Sequence, residues 1–294
     1  MKKPLKILSC IMRLEAKMKV KLKTSNITRK LGIIISFLIL IVVFSTDKFF
    51  TVGNFQNILQ QSSINMCIAI GMTFVIITGG IDLSVGSMMA LSGMVMAQSM
   101  AAGTHPIISV VIGLLLATGL GAINGILIAK LQLQPFLVTL GTMSAYRGIT
   151  LIISDGLPER SFSAPYVNFM NSLNNSIPIT IIISILLAVA ALIVLKYSKY
   201  GQYLFAVGGN EEATRLSGIN TDKVKITTYA FSGFVSSLAA VIFLGRLGAA
   251  DPQAGNGYEM NAIAAAAIGG ASLAGGKGSI LGTIIGCLIL QSLN

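Results

Sequence analysis

The sequence predicts an all-α integral membrane protein, a polytopic bundle of about 8–10 transmembrane or broken helices with pseudo-repeated halves. Three observations predict it. The chain has 294 residues, of which 54% are hydrophobic and 11% charged, with a mean hydropathy of +0.81. Soluble domains are about 45–50% apolar and about 25% charged. The apolar residues also come in runs: residues 31–46 read LGIIISFLILIVVFST and residues 179–195 read ITIIISILLAVAALIVL. A helix needs about 20 such residues to cross about 30 Å of hydrocarbon. Finally, ten of the 21 Lys and Arg lie in residues 1–30 and five in 196–225 (Lys196, Lys199, Arg215, Lys223, Lys225). Both groups flank apolar runs, which is how cytoplasmic loops are marked. The net charge of +11 is therefore a topology signal and not a stripe for nucleic acid. A soluble enzyme, a nucleic-acid binder and a disordered chain do not fit this composition.

Residues 1–30 read as a basic cytoplasmic arm. Its stretch IMRLEAKMKVKLK suits an anionic leaflet, although setting topology is its simpler role. Residues 31–46 read as an uncleaved first span, because no small-x-small cleavage site precedes Asp47-Lys48-Phe49-Phe50. The single transmembrane domain, 31–294, continues with apolar segments at 58–79, 83–102, 107–129, 135–153, 177–195, 226–248, 259–274 and 279–293. From a cytoplasmic amino terminus, four crossings bring Lys130 back inside. Segment 135–153 goes out, 154–176 is an external loop, and 177–195 returns to deliver the polar stretch 196–225 to the cytoplasm. A bacterial cell membrane is the expected location.

Two segments are poor simple spans. Segment 58–79 opens on Gln60, Gln61, Ser62, Ser63 and Asn65, and 259–274 is almost all Ala and Gly. Such segments need cover from other helices or a break in the helix, since unpaired backbone is tolerated in a membrane only against protein or a water-filled cavity. The 31 glycines suit close helix packing. Gly79-Gly80-Ile81-Asp82-Leu83-Ser84 and Gly269-Gly270-Ala271-Ser272-Leu273-Ala274 share a Gly-Gly-x-x-Leu-small pattern. Paired Gly-interrupted segments point to a translocation pathway, while chance likeness between Gly-rich turns is the plainer reading.

Groups for chemistry are few. Asp82, Arg147, Arg246 and Glu259 are the ionisable residues in or near spans, where charge is costly and marks a pathway or an internal pair. Asn65, Asp82, Ser84, Arg147 and Glu259 are the pathway candidates. Asp82 is better read as capping the helix that begins at Leu83. Arg147 can snorkel, Glu259 can cap the next helix or line an external vestibule, and His105 is a loop residue. Cys10, Cys67 and Cys287 show no paired spacing, so with one histidine no metal site is expected, nor any cofactor. The stretch ending Gly275-Gly276-Lys277-Gly278 imitates a phosphate loop, but Ala271 stands where the first Gly belongs and Gly278 where Ser or Thr belongs. ATP, if used, is handled by another subunit.

The cytoplasmic stretch from Tyr200 to Asn220 is the most informative. Asn210 suits the cap of a short helix, Glu211 and Glu212 its first turn, and Gly218 its end. A well-capped helix of about two turns in an otherwise minimal loop suits docking.

With that loop, the chain from about residue 54 onward resembles the permease subunits of bacterial ATP-binding-cassette sugar importers. The marks are GMTFVIITGGIDLSVGS (71–87), Asn124-Gly125, GGNEEATRLSGIN (208–220), AGNGYEMNAIAAAAIGG (254–270) and SLAGGKGS (272–279). The resemblance implies a permease, usually paired with a second copy, working with cytoplasmic ATPase subunits and an external sugar-binding protein. It implies that 208–220 docks on the ATPase through Gly209, Asn210, Glu211, Ala213, Thr214, Arg215, Leu216 and Gly218. The implied cargo is a monosaccharide, ribose or a similar pentose, moved by alternating access. It also implies a shorter, less basic amino terminus and a further span past Asn294. Other cargoes, among them another sugar, a nucleoside or a signalling molecule, stay open. So does an ion-coupled carrier working alone, for which Asp82 or Glu259 would be the coupling carboxylate.

Overall fold

In hydrocarbon a backbone amide has no partner except another backbone group, so a chain this apolar is driven into helices. A computed structural model describes residues 51–162, 164–171 and 178–292. The stretches expected as a basic arm (1–30) and a first span (31–46), the end at Asn294 and part of the expected external loop 154–176 lie outside the described residues. Eleven helices are described: α1 (Val52–Ile77), α2 (Val85–Ala101), α3 (Pro106–Lys130), α4 (Pro135–Ile153), α5 (Ala164–Asn171), α6 (Ile179–Tyr197), α7 (Lys199–Gly209), α8 (Glu211–Leu216), α9 (Thr221–Leu247), α10 (Tyr258–Ile268) and α11 (Ile280–Ser292). Five are long and apolar enough to cross a membrane: Gln56–Ile77 within α1, then α3, α4, α6 and α9. The described residues contain no strand beyond one antiparallel bridge between Glu159 and Ala250.

Local sequence sets the helix limits. Proline opens α3 and α4 at the first helical position, where its missing N–H costs nothing. His105, expected as a loop residue, also accepts from Ile107 N–H ahead of α3. Segment 259–274 is broken: α10 stops at Ile268 and the chain turns through Gly269-Gly270. Both halves of the suspected repeat therefore end a helix in a glycine pair, but the next helix opens at Val85 in the first half and only at Ile280 in the second. The left-handed residue is Gly79 (φ 80°) in one turn and Gly270 (φ 92°) in the other.

The bundle is layered. From Ser62 to Thr78 every residue of α1 and its end is buried except Asn65, and α2 is nearly as enclosed. Helices apolar all round belong in such a centre. By contrast, α3, α4 and α6 turn Ile107, Leu115, Leu137, Ile152, Leu186 and Val189 outward, as lipid-facing helices must.

Glycine sets the spacing between α3 and α9. A Cβ on Gly121 would collide with the Tyr229 carbonyl, one on Gly233 with the Ala117 carbonyl, and one on Gly125 would lie 2.7 Å from Ile226 Cα. Small residues permit this backbone-to-backbone contact, and α10 and α11 repeat it through Gly269 and Gly282. Gly121→Ala is therefore expected to destabilise the purified chain by about 1–3 kcal/mol through overpacking. Gly119→Ala, where a Cβ meets nothing within 4 Å, is expected to leave it unchanged or raise its stability. Thermal loss of the monodisperse chromatographic peak compares the two.

Candidate functional site

The connection between α7 and α9 is built as its residues require. Asn210 Oδ1 accepts from Ala213 N–H at 2.9 Å and caps α8, with Glu211 and Glu212 in the first turn, where the helix dipole favours negative charge. At the other end Gly218 adopts φ 83°. Gly218 N–H bonds to the Arg215 carbonyl at 3.0 Å and Ile219 N–H to the Thr214 carbonyl at 3.3 Å, so the helix closes in a Schellman motif.

Helix α8 is also tied to α9. Glu211 pairs with Lys225 at 2.6 Å, Arg215 pairs with Asp222 at 3.7 Å, and the Arg215 guanidinium donates to Thr221 Oγ1 at 3.3 Å. Arg215 and Glu211 also form an i,i+4 pair at 3.5 Å. Surface pairs of this kind are worth at most about 1 kcal/mol each, so they orient α8 more than they stabilise the fold. Thr214 is buried, Glu212 is exposed, and Leu216 is 84% exposed. A groove of about 530 Å³ runs beside it, lined by Ile128, Gln132, Leu133 and Pro135 on one side and Glu211, Arg215 and Leu216 on the other.

Behind α8 lies a junction without side chains. The Ile77 carbonyl at the end of α1 accepts from Gly276 N–H at 2.9 Å. A Cβ on Gly208 would strike that same carbonyl and lie 2.6 Å from Gly276 N, and one on Gly275 would lie 2.7 Å from the Gly208 carbonyl. The segment that imitates a phosphate loop thus closes the end of α1, against the end of α7.

Asp82 is fully buried. One carboxylate oxygen accepts from Ser84 N–H at 3.0 Å and Ser84 Oγ at 2.6 Å; the other accepts from Ser232 Oγ of α9 at 2.8 Å. Asn124 Nδ2 donates to Ser84 Oγ at 2.8 Å, and Tyr146 OH donates to Asn124 Oδ1 at 3.2 Å. The donors form a directed chain from α4 through α3 to the carboxylate. The regular helix opens at Val85, not Leu83, and Ser84 occupies its cap position. Asp82 bonds one N–H in the preceding turn and spends its remaining capacity on side chains.

The other ionisable candidates gather on the far side of the start of α2. Arg147 Nη1 donates to the Pro252 carbonyl at 2.5 Å and the Ala254 carbonyl at 2.9 Å, so its head group is held by backbone rather than left to snorkel. Asp251 and Glu259 lie within its electrostatic reach. Glu259 Oε1 accepts from Gly257 N–H at 3.2 Å, a capping contact at α10, and its other oxygen would meet a Cβ on Gly86 at 2.9 Å. Asp82, Ser84, Glu259 and Arg147 thus follow one another along the α2 entry. Asn65 stands apart, donating to Gln291 Oε1 at 2.8 Å.

Sequence reasoning missed the roles of Asn124, Tyr146 and Ser232. An amide inside the apolar run of α3 was the available signal, because polar groups in spans seek partners. Nothing local points to Ser232.

Comparison with known proteins completes the description. Residues 54–294 match the family described as branched-chain amino acid transport system / permease component. The chain is 43% identical over 267 residues to the ribose import permease protein of Escherichia coli K12, covering 89% of this chain and 83% of that one. It is 47% identical to the ribose import permease protein of Haemophilus influenzae, with coverages of 88% and 82%. It is 41% identical to the D-allose transport system permease protein of Escherichia coli K12, with coverages of 90% and 82%. No solved structure matches.

The carboxylate network yields a stability prediction. Asp82→Leu strands the Ser84 and Ser232 hydroxyls and is expected to cost about 3 kcal/mol or more, while Ser232→Ala costs about 1–3 kcal/mol. Thermal unfolding of the purified chain reads both, and an Asp82→Leu chain as stable as the parent would contradict the role assigned to the network.

Proposed function

Since this chain belongs to the family of branched-chain amino acid transport system permease components, we propose that it is the membrane subunit of an ATP-binding-cassette importer that carries ribose or a similar pentose. The observation that carries the reading is identity of 40–47% to ribose import permease proteins from three bacterial genera, over about nine-tenths of the chain. The allose relative at 41% supports a second reading, in which the cargo is another monosaccharide of similar shape. An autoinducer 2 import permease of Photorhabdus luminescens is more distant at 34%.

The energy comes from a separate cytoplasmic ATPase, and an external sugar-binding protein delivers the cargo. A second permease copy completes the path. Helix α8 is the docking element: its caps make it rigid, and Glu212 and Leu216 are presented for contact. Its ties at Glu211, Arg215 and Thr221 pass displacement to α9, which has 27 residues and so spans about 40 Å at 1.5 Å per residue. At its other end α9 receives Tyr166 OH at the Val241 carbonyl, 2.7 Å, and Asn171 Nδ2 at the Gly245 carbonyl, 2.7 Å. One rigid element therefore links the ATPase side to the external loop, a fitting lever for rocking the bundle between outward-open and inward-open states. The permease makes and breaks no covalent bond. Arg147, Asp251 and Glu259 offer donors and acceptors for sugar hydroxyls. Asp82 and Ser84 hold the frame beside them. Because its acceptor capacity is engaged by three donors, Asp82 is a poor coupling site for an ion-driven carrier.

Deleting the chain from its host is expected to abolish uptake of radiolabelled ribose, and the unaltered chain to restore it; uptake that persists after deletion would refute the cargo. Arg215→Glu sets a carboxylate against Glu211 and Asp222. Gly218→Pro demands φ near −65° where the backbone holds 83°. Both variants are expected to reach the membrane at parental levels, by immunoblot, yet to fail to restore uptake. A tagged chain gently extracted from its native membrane is expected to bring down a cytoplasmic ATPase.

A further inference from the structure

A groove of about 620 Å³ opens between α6, α7 and α9. Leu187, Ala190, Ala191 and Val194 of α6 wall one side, Phe231 of α9 the other, and Phe74 of α1 forms the floor. The two phenylalanine rings meet with centroids 4.7 Å apart. The mouth differs in chemistry: Tyr200, Tyr203, Asn220, Lys223 and Thr227 gather there. The Tyr200 hydroxyl is engaged with Thr228 and Thr227. Lys223 is exposed. Among the described residues the ion pairs join Glu211, Lys225, Arg215 and Asp222, and Lys223 enters none of them.

We propose that this groove holds an acyl chain of an anionic phospholipid of the cytoplasmic leaflet, with the lipid phosphate on the Lys223 ammonium. An apolar slot with a cation at its mouth that pairs with no carboxylate among the described residues is complementary to an amphiphile with a negative head. The mouth lies where α6 ends and α9 begins, the stretch whose five basic residues mark the cytoplasmic face. Basic pockets between helices on that face suit lipid headgroups. The outer surface of α6 beside the groove, at Ile185, Leu186 and Ile193, is exposed and apolar, so acyl chains surround the entrance. A second copy fits this face poorly. A two-fold contact sets a patch against itself, and from Ile179 to Asn210 the chain carries Lys196 and Lys199 but no carboxylate. The rim includes Gly218 and Ile219, the turn that closes α8, so an occupying lipid braces the docking helix from behind.

The test uses the full chain, purified in mild detergent and mixed with equal amounts of phosphatidylglycerol and phosphatidylcholine of identical acyl chains. Native mass spectrometry counts the lipids retained. The expected result is phosphatidylglycerol in excess by about threefold or more on the parent chain. Lys223→Ala should lower that ratio by about threefold. Ala190→Trp, which fills the slot, should lower retention of both lipids. Ile193→Trp, equally lipid-facing but outside the groove, should match the parent. Equal retention by the parent overturns the proposal, as does an undiminished preference in Lys223→Ala. If Ala190→Trp splits a permease dimer and leaves the lipid count unchanged, the groove is an interface between copies and the lipid assignment fails.

Discussion

A buried carboxylate must be satisfied, and much of this bundle is arranged to satisfy one. Asp82 sits in the turn between α1 and α2, away from water, where an unpaired charge would cost several kcal/mol. Its two oxygens collect donors from its own turn and from α9, and the chain of donors continues through Asn124 of α3 to Tyr146 of α4. Three helices and a turn are thereby set in register by one group. The close α3–α9 approach at Gly121, Gly125 and Gly233 brings α9 near enough for Ser232 to reach the carboxylate. Packing and polar satisfaction thus depend on each other.

The same dependence runs along α9. The ties of α8 to α9 are individually weak, but each runs to the first two turns of α9. Along its length α9 meets α3 through glycines, Asp82 through Ser232, and α5 through Tyr166 and Asn171. Packed interiors transmit strain instead of absorbing it. A displacement at the first turns of α9 therefore has few places to be lost along its length.

The helices were largely legible because apolar runs, glycine pairs and charge clusters are local signals. The caps of α8 were legible for the same reason: Asn210 and Gly218 act within a few residues of themselves. Segment 259–274 showed its weakness as a span in its Ala and Gly content, and the chain does turn there, at Gly269-Gly270. What could not be read was pairing over distance. Glu211 with Lys225, Asp82 with Ser232, and Asn65 with Gln291 are separated by 14, 150 and 226 residues, and nothing in periodicity joins them. Arg147 was legible as unusual but not as a ligand of backbone carbonyls, since its partners lie in an irregular turn.

The junction of Ile77, Gly208 and Gly276 also bears on how such a chain can drift over generations. Every single-base change in a glycine codon that alters the residue brings in at least a Cβ or ends the chain. At Gly208 that atom has nowhere to go. No conservative replacement exists there, and no neighbouring side chain can be trimmed to make room, because backbone fills the space. A change at this joint must therefore be met by movement of the backbone itself, from Ile77 and Gly276 together.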